Sequence, residues 1–109
     1  MESKIIDEIT NAAKALLRKL GGYSQAVATV AGEKFTFTTE TGGHNEYSWY
    51  SLRCESPALA STISCTIDGL TDYDNFWDDP GSLSPGKNTE KQLQLLKRAM
   101  DAALNSEQQ

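Results

Sequence analysis

The chain has 109 residues, 39% of them hydrophobic and 23% charged, with a formal net charge of −5. That length fits one domain, residues 1–109, and the composition excludes a globally disordered chain. Two cysteines are too few for a disulfide scaffold, and no run approaches 18 apolar residues, so no transmembrane helix and no membrane partner are expected.

The opening "MESKIIDEIT" mixes charges and lacks a continuous apolar stretch before a small-residue cleavage site. The expectation is a cytoplasmic protein with reduced thiols. The first predicted element is a helix in "SKIIDEITNAAKALLRKLGG". Ile5, Ile9, Ala12, Ala13, Leu16 and Leu20 recur at helical spacing, with Ile6 and Leu17 widening the stripe. Asp7 and Glu8 lie near its start and Arg18 and Lys19 in its last turn, as the macrodipole prefers. Gly21 and Gly22 supply the stop, because glycine enters a left-handed C-cap without steric cost.

The period then changes to two. "SQAVATVAGEKFTFTTE" reads as two strands around Gly32–Glu33, with Ala26, Ala28 and Val30 on one face of the first and Phe35 and Phe37 on one face of the second. "TGGHNE" reads as a longer turn. In "EYSWYSLRC", Tyr47 and Trp49 alternate with Tyr50, Leu52 and Cys54, so both faces of this third strand carry apolar groups. After a break at "ESPALAS", "TISCTID" is a fourth strand with Ile63, Cys65 and Ile67 on one face. Antiparallel pairing of the third and fourth strands would bring Cys54 and Cys65 close on the buried side. A loop from Gly69 to Asn88 follows, too long to be a plain connector and too aromatic to be disordered. The last element, "NTEKQLQLLKRAMDAALNS", opens with Thr89 and Gln92 at capping-box spacing and carries Leu93, Leu96, Met100, Ala103 and Leu104 as its stripe. Residues 105–109 read as a frayed tail.

The order helix, four strands, helix gives an α+β fold: a four-stranded antiparallel sheet with both terminal helices packed on it. It partly resembles the order of double-stranded-RNA-binding domains. In that family the second helix begins with lysines that grip phosphate, whereas here it begins "NTEKQ". Charge placement also argues against direct nucleic-acid binding. Residues 33–79 hold nine acids (Glu33, Glu40, Glu46, Glu55, Asp68, Asp72, Asp74, Asp78 and Asp79) against Lys34 and Arg53. Phosphates would have to approach that field at a cost.

No motif for chemistry is complete. Gly81 to Lys87 in "GSLSPGKNT" has the glycine and lysine spacing of a phosphate-binding loop, but Asn88 stands where magnesium needs a hydroxyl and "DNFWDD" precedes it. Read as a calcium loop from Asp72, the pattern keeps Asp72 and Asp74 but puts Phe76, Trp77 and Leu83 at the next three required positions. A less regular cation site would use Asp72, Asp74 and Asp78. His44 is the lone histidine, and both cysteines alternate with strand apolars, as buried thiols do. No catalytic residue, metal ligand or cofactor is therefore assigned.

The surface singled out is "TDYDNFWDDPGS": Asp72, Tyr73, Asp74, Phe76, Trp77, Asp78 and Asp79. Rings beside carboxylates combine an apolar anchor with a steering charge. The expected function is a small acidic, non-catalytic protein-binding module with a basic protein partner, either an inhibitor or immunity-type antagonist or a mimic of nucleic acid. The alternative is a small enzyme or ligand binder with a pocket between sheet and helices using Tyr47, Trp49, His44 or Cys54. An exposed strand edge would also admit a homodimer.

Overall fold

A computed structural model describes residues 3–44, 47–70, 82–83 and 86–106. Their elements run α1 (Ser3–Leu20), β1 (Ser24–Val30), β2 (Glu33–His44), β3 (Tyr47–Glu55), β4 (Ile63–Leu70), β5 (Ser82–Leu83) and α2 (Glu90–Asn105). All pairings are antiparallel, and the strands lie in chain order, β1 at one edge and β5 at the other. This is the expected α+β arrangement with a two-residue strand added.

The core forms where the two helical stripes meet one sheet face. Ile9, Leu16 and Leu17 of α1 and Leu93, Leu96 and Met100 of α2 are buried against Phe35, Phe37, Leu52, Cys54 and Ile63. Fully burying one such aliphatic side chain stabilises by roughly 1.5–3 kcal/mol, so this cluster dominates the favourable side of folding. The sheet alternates accordingly. Along β1, Ala28 and Val30 face the helices while Gln25, Val27 and Thr29 are exposed. Thr39 is the buried polar exception on β2, and its hydroxyl accepts from the Ser24 N–H at 3.0 Å.

The helix ends follow local chemistry. Gly21 takes φ +79° and its N–H bonds Leu17 O at 2.9 Å, closing α1 as expected. Asp7 and Glu8 fall beyond the first turn, because the helix already begins at Ser3, so they miss the region where the macrodipole acts. Lys19 serves the other helix: its Nζ donates to the carbonyls of Ala103, Leu104 and Ser106 at 3.2, 2.8 and 2.7 Å. At the start of α2 the capping box is complete, with Gln92 N–H donating to Thr89 Oγ1 and Thr89 N–H to Gln92 Oε1. Asn105 ends α2 and the Ser106 N–H bonds Ala103 O at 3.4 Å, so residue 105 belongs to the helix rather than to the expected tail. Residues 107–109 lie outside the described residues.

Three boundaries move. The first hairpin turns at Ala31–Gly32 rather than Gly32–Glu33. Both turn residues have positive φ, +53° and +78°, the primed geometry that matches strand twist across a two-residue loop. The expected turn "TGGHNE" is mostly strand, since the β2–β3 ladder continues through Gly42↔Trp49 to His44↔Tyr47. The long loop is shorter than expected: β4 continues to Leu70, and Ser82 and Leu83 return to pair with Thr66 and Cys65.

Candidate interaction face

The proposed surface residues Asp72, Tyr73, Asp74, Phe76, Trp77, Asp78 and Asp79 lie outside the described residues, as does the cation site drawn from three of them. Their tether points are described. Residues 71–81 join Leu70 to Ser82, so the acidic segment leaves the sheet from the end of β4 where Leu70 pairs with Tyr47.

That end of the sheet carries exposed rings. Trp49 lies on the face away from the helices and is 37% exposed. It sits over Gly42, its register partner: a Cβ at Gly42 would fall 2.5 Å from Cζ2 and 2.6 Å from Cε2 of the indole. Only glycine leaves that space open, so Gly42 in β2 becomes a floor for the ring rather than part of a turn. Tyr23 is 78% exposed, and its hydroxyl donates to Thr41 O at 2.5 Å. Thr41 in turn donates through Oγ1 to Trp49 O at 2.9 Å. A Cβ at Gly22 would stand 3.0 Å from Thr41 Cγ2, so the link from α1 also packs closely here. Two aromatic side chains are thus fixed by main-chain hydrogen bonding or glycine packing while much of each ring meets solvent.

The rest of the open face is polar. Gln25, Thr36, Thr38, Glu40, Ser51 and Arg53 project from it, as antiparallel sheets permit when one side is solvated. Arg53 pairs with Glu55 at 3.5 Å, both about half exposed. Val27, 51% exposed, is its apolar member on β1.

Of the residues named for the alternative pocket, Cys54 and Trp49 do not share a face of the sheet. Cys54 is 1% exposed inside the core, whereas Trp49 is on the opposite side of the sheet. Their sequence separation is odd, which in a strand puts them on different faces. His44 ends β2 opposite Tyr47, away from the helix-covered centre. Cys54 and Cys65 occupy diagonal register positions, opposite Ile63 and Leu52 respectively, and Cys54 is buried. Among the described residues there is no group of three or more His, Cys, Asp and Glu side chains placed to hold a metal, and no helix is long and apolar enough to cross a membrane.

The phosphate-loop spacing dissolves into other roles. Ser82 and Leu83 are strand, and Asn88 is buried beneath the segment Ala60–Ser61. Its Oδ1 accepts from the N–H groups of Ala60 and Ser61 at 2.6 and 3.2 Å, and its Nδ2 donates to Ser61 O at 3.0 Å. Gly86, at φ +62°, lies where a Cβ would come within 2.4 Å of Ser61 Oγ. This glycine and asparagine dock a loop onto the start of α2.

Tyr23 was missed by sequence reasoning. It follows "GG" directly before an uncharged strand, but nothing local says whether a ring there turns inward. Thr41 was equally hidden, because its role depends on register. No protein-family model matches the sequence, and neither the curated proteins nor the solved structures compared with it give a match.

Proposed function

We propose that the protein is a non-catalytic binding module that docks a basic, nucleic-acid-handling protein through its acidic segment and the adjoining aromatic end of the sheet. What supports this is one juxtaposition. Tyr23 and Trp49 are held exposed at the end of the sheet from which residues 71–81 depart, and that segment carries Asp72, Asp74, Asp78 and Asp79. Aromatic anchors supply contact area at low entropic cost, and clustered carboxylates raise the encounter rate with a positive surface. Tyr73, Phe76 and Trp77 would add rings to the same face. Repeated carboxylates in place of phosphates would make the module an inhibitor or immunity-type antagonist that occupies a nucleic-acid groove.

The test is a pull-down from the native host at graded salt, with DNA and RNA oligonucleotides as competitors. The expected result is a basic partner released by salt and by nucleic acid, and lost when Asp72, Asp74, Asp78 and Asp79 become Asn. Trp49→Ala should weaken the same complex with the fold intact by circular dichroism. A complex indifferent to salt, competitor and the four-fold change would overturn the proposal.

A further inference from the structure

We infer that β1 is a self-pairing edge, and that two copies join through it into one continuous sheet about a two-fold axis at Val27. This inference does not rest on the function proposed above: it uses the main chain and side chains of Ser24–Val30, although Tyr23 directly precedes that strand.

Among the described residues nothing pairs with the outer side of β1. The hairpin fixes which groups are spare. The Ser24 N–H is directed at β2, where it meets Thr39 Oγ1, and the register continues through Ala26↔Phe37 and Ala28↔Phe35 to Val30↔Glu33. Alternation then turns the N–H and C=O of Gln25, Val27 and Thr29 outward. Proteins that stay monomeric blunt such an edge with lysine, proline or a bulge, or keep it very short. The seven residues "SQAVATV" contain no charge, no proline and no glycine.

The strand also fits itself. Antiparallel pairing centred on Val27 sets Gln25 against Thr29, Val27 against Val27, and Ala26 against Ala28 of the second copy. The spare groups of Gln25, Val27 and Thr29 then meet as hydrogen-bonded pairs, about six main-chain bonds across the joint. On the open face the two Val27 side chains, each 51% exposed in one copy, would cover one another. On the helix side the residues that meet near the axis are Ala26 and Ala28, which project only a methyl group each. An isologous two-fold contact needs this self-complementarity and uses up the β1 edge of both copies.

Charge placement removes the main objection, that a chain of net charge −5 repels its copy. The tethers of the acidic segment, Leu70 of β4 and Ser82 of β5, lie at the far side of the sheet from β1. Joined through β1, the two β4 strands stand about 34 Å apart at the usual strand spacing. That is several Debye lengths at physiological salt, so the repulsion is screened.

Sedimentation equilibrium of the full chain over a concentration series tests this. The wild type should show a monomer–dimer equilibrium. Val27→Lys and Val27→Glu, each setting like charges face to face, should each raise the dimer dissociation constant at least roughly tenfold. Mixing the two variants should restore a heterodimer, because the inferred axis places residue 27 opposite itself. Hydrogen exchange should show the amides of Gln25, Val27 and Thr29 gaining protection with concentration. A wild type that stays monomeric throughout, or a dimer unmoved by either variant, would overturn the inference. So would slow exchange at those three amides in the monomer, since another part of the chain would then cover the edge.

Discussion

Asn88→Ala is the substitution expected to cost the most per atom removed. The side chain is 4% exposed and holds two backbone N–H groups, those of Ala60 and Ser61, on one oxygen. Its Nδ2 meets both the carbonyl and the hydroxyl of Ser61, at 3.0 and 3.3 Å. Removing the amide leaves two donors and an acceptor without their partner in a partly buried corner. Each stranded group costs about 1–3 kcal/mol where water cannot replace the partner, and partial exposure of Ser61 lowers that. A total of about 3 kcal/mol is expected, a large share of the stability of a small domain. The loop 56–61 would also lose a tether to α2, leaving the Gln92 Nε2 bond to Ala58 O at 3.2 Å. Urea unfolding followed by far-ultraviolet circular dichroism measures this, with the m-value reporting whether the native state stays equally compact. A loss below about 0.5 kcal/mol with unchanged m would refute the reasoning, because it would mean that water reaches those amides in the native state.

Two further substitutions probe the sheet. Ala31 holds φ +53° in a primed turn that favours asparagine or glycine, so Ala31→Asn should stabilise by about 0.5–1 kcal/mol, read as a higher urea midpoint. Gly42→Ala drives a methyl into the Trp49 indole, which has to lift from the sheet. About 1 kcal/mol of stability should be lost, with a red shift of tryptophan emission in a Trp77→Phe background, and an unshifted spectrum would mean that the ring does not rest on Gly42.

The parts of this fold legible in the sequence are those governed by short-range rules. The α1 stripe from Ile5 to Leu17 and the Thr89–Gln92 box depend on spacing and capping chemistry alone, and both appear as read. Period-two alternation likewise placed Phe35, Phe37, Leu52 and Ile63 inside. Where the reading failed, a partner distant in sequence decided the outcome. "TGG" has the composition of a turn, yet Trp49 needs a glycine opposite it and the ladder runs through. Lys19 reads as a cation for its own helix end, but the carbonyls at the end of α2 are near, and three of them accept from it. Asn88 looked like a defective nucleotide-binding residue because nothing adjacent in sequence announces Ala60 and Ser61. Of the candidate site, the acidic run was legible as composition, while the two rings beside its tether required the register and the hairpin.

The two layers of the fold also divide the charge, and this bears on how a basic partner would be oriented before it touches anything. Eight of the ten Lys and Arg residues belong to the helices and their immediate flanks: Lys4, Lys14, Arg18, Lys19, Lys87, Lys91, Lys97 and Arg98. They are partly cancelled in place. Lys97 pairs with Asp101 at 2.9 Å, and a groove of about 440 Å³ between the helices sets Lys4, Lys97 and Arg98 against Glu8 and Glu90. Residues 33–79 keep nine acids against two bases. At physiological salt a partner senses charge only within about 8 Å, so the local excess matters more than the net −5. On the proposed reading, a basic partner would meet weak repulsion over the helices and be drawn toward the end of the sheet from which residues 71–81 depart, beside Tyr23 and Trp49.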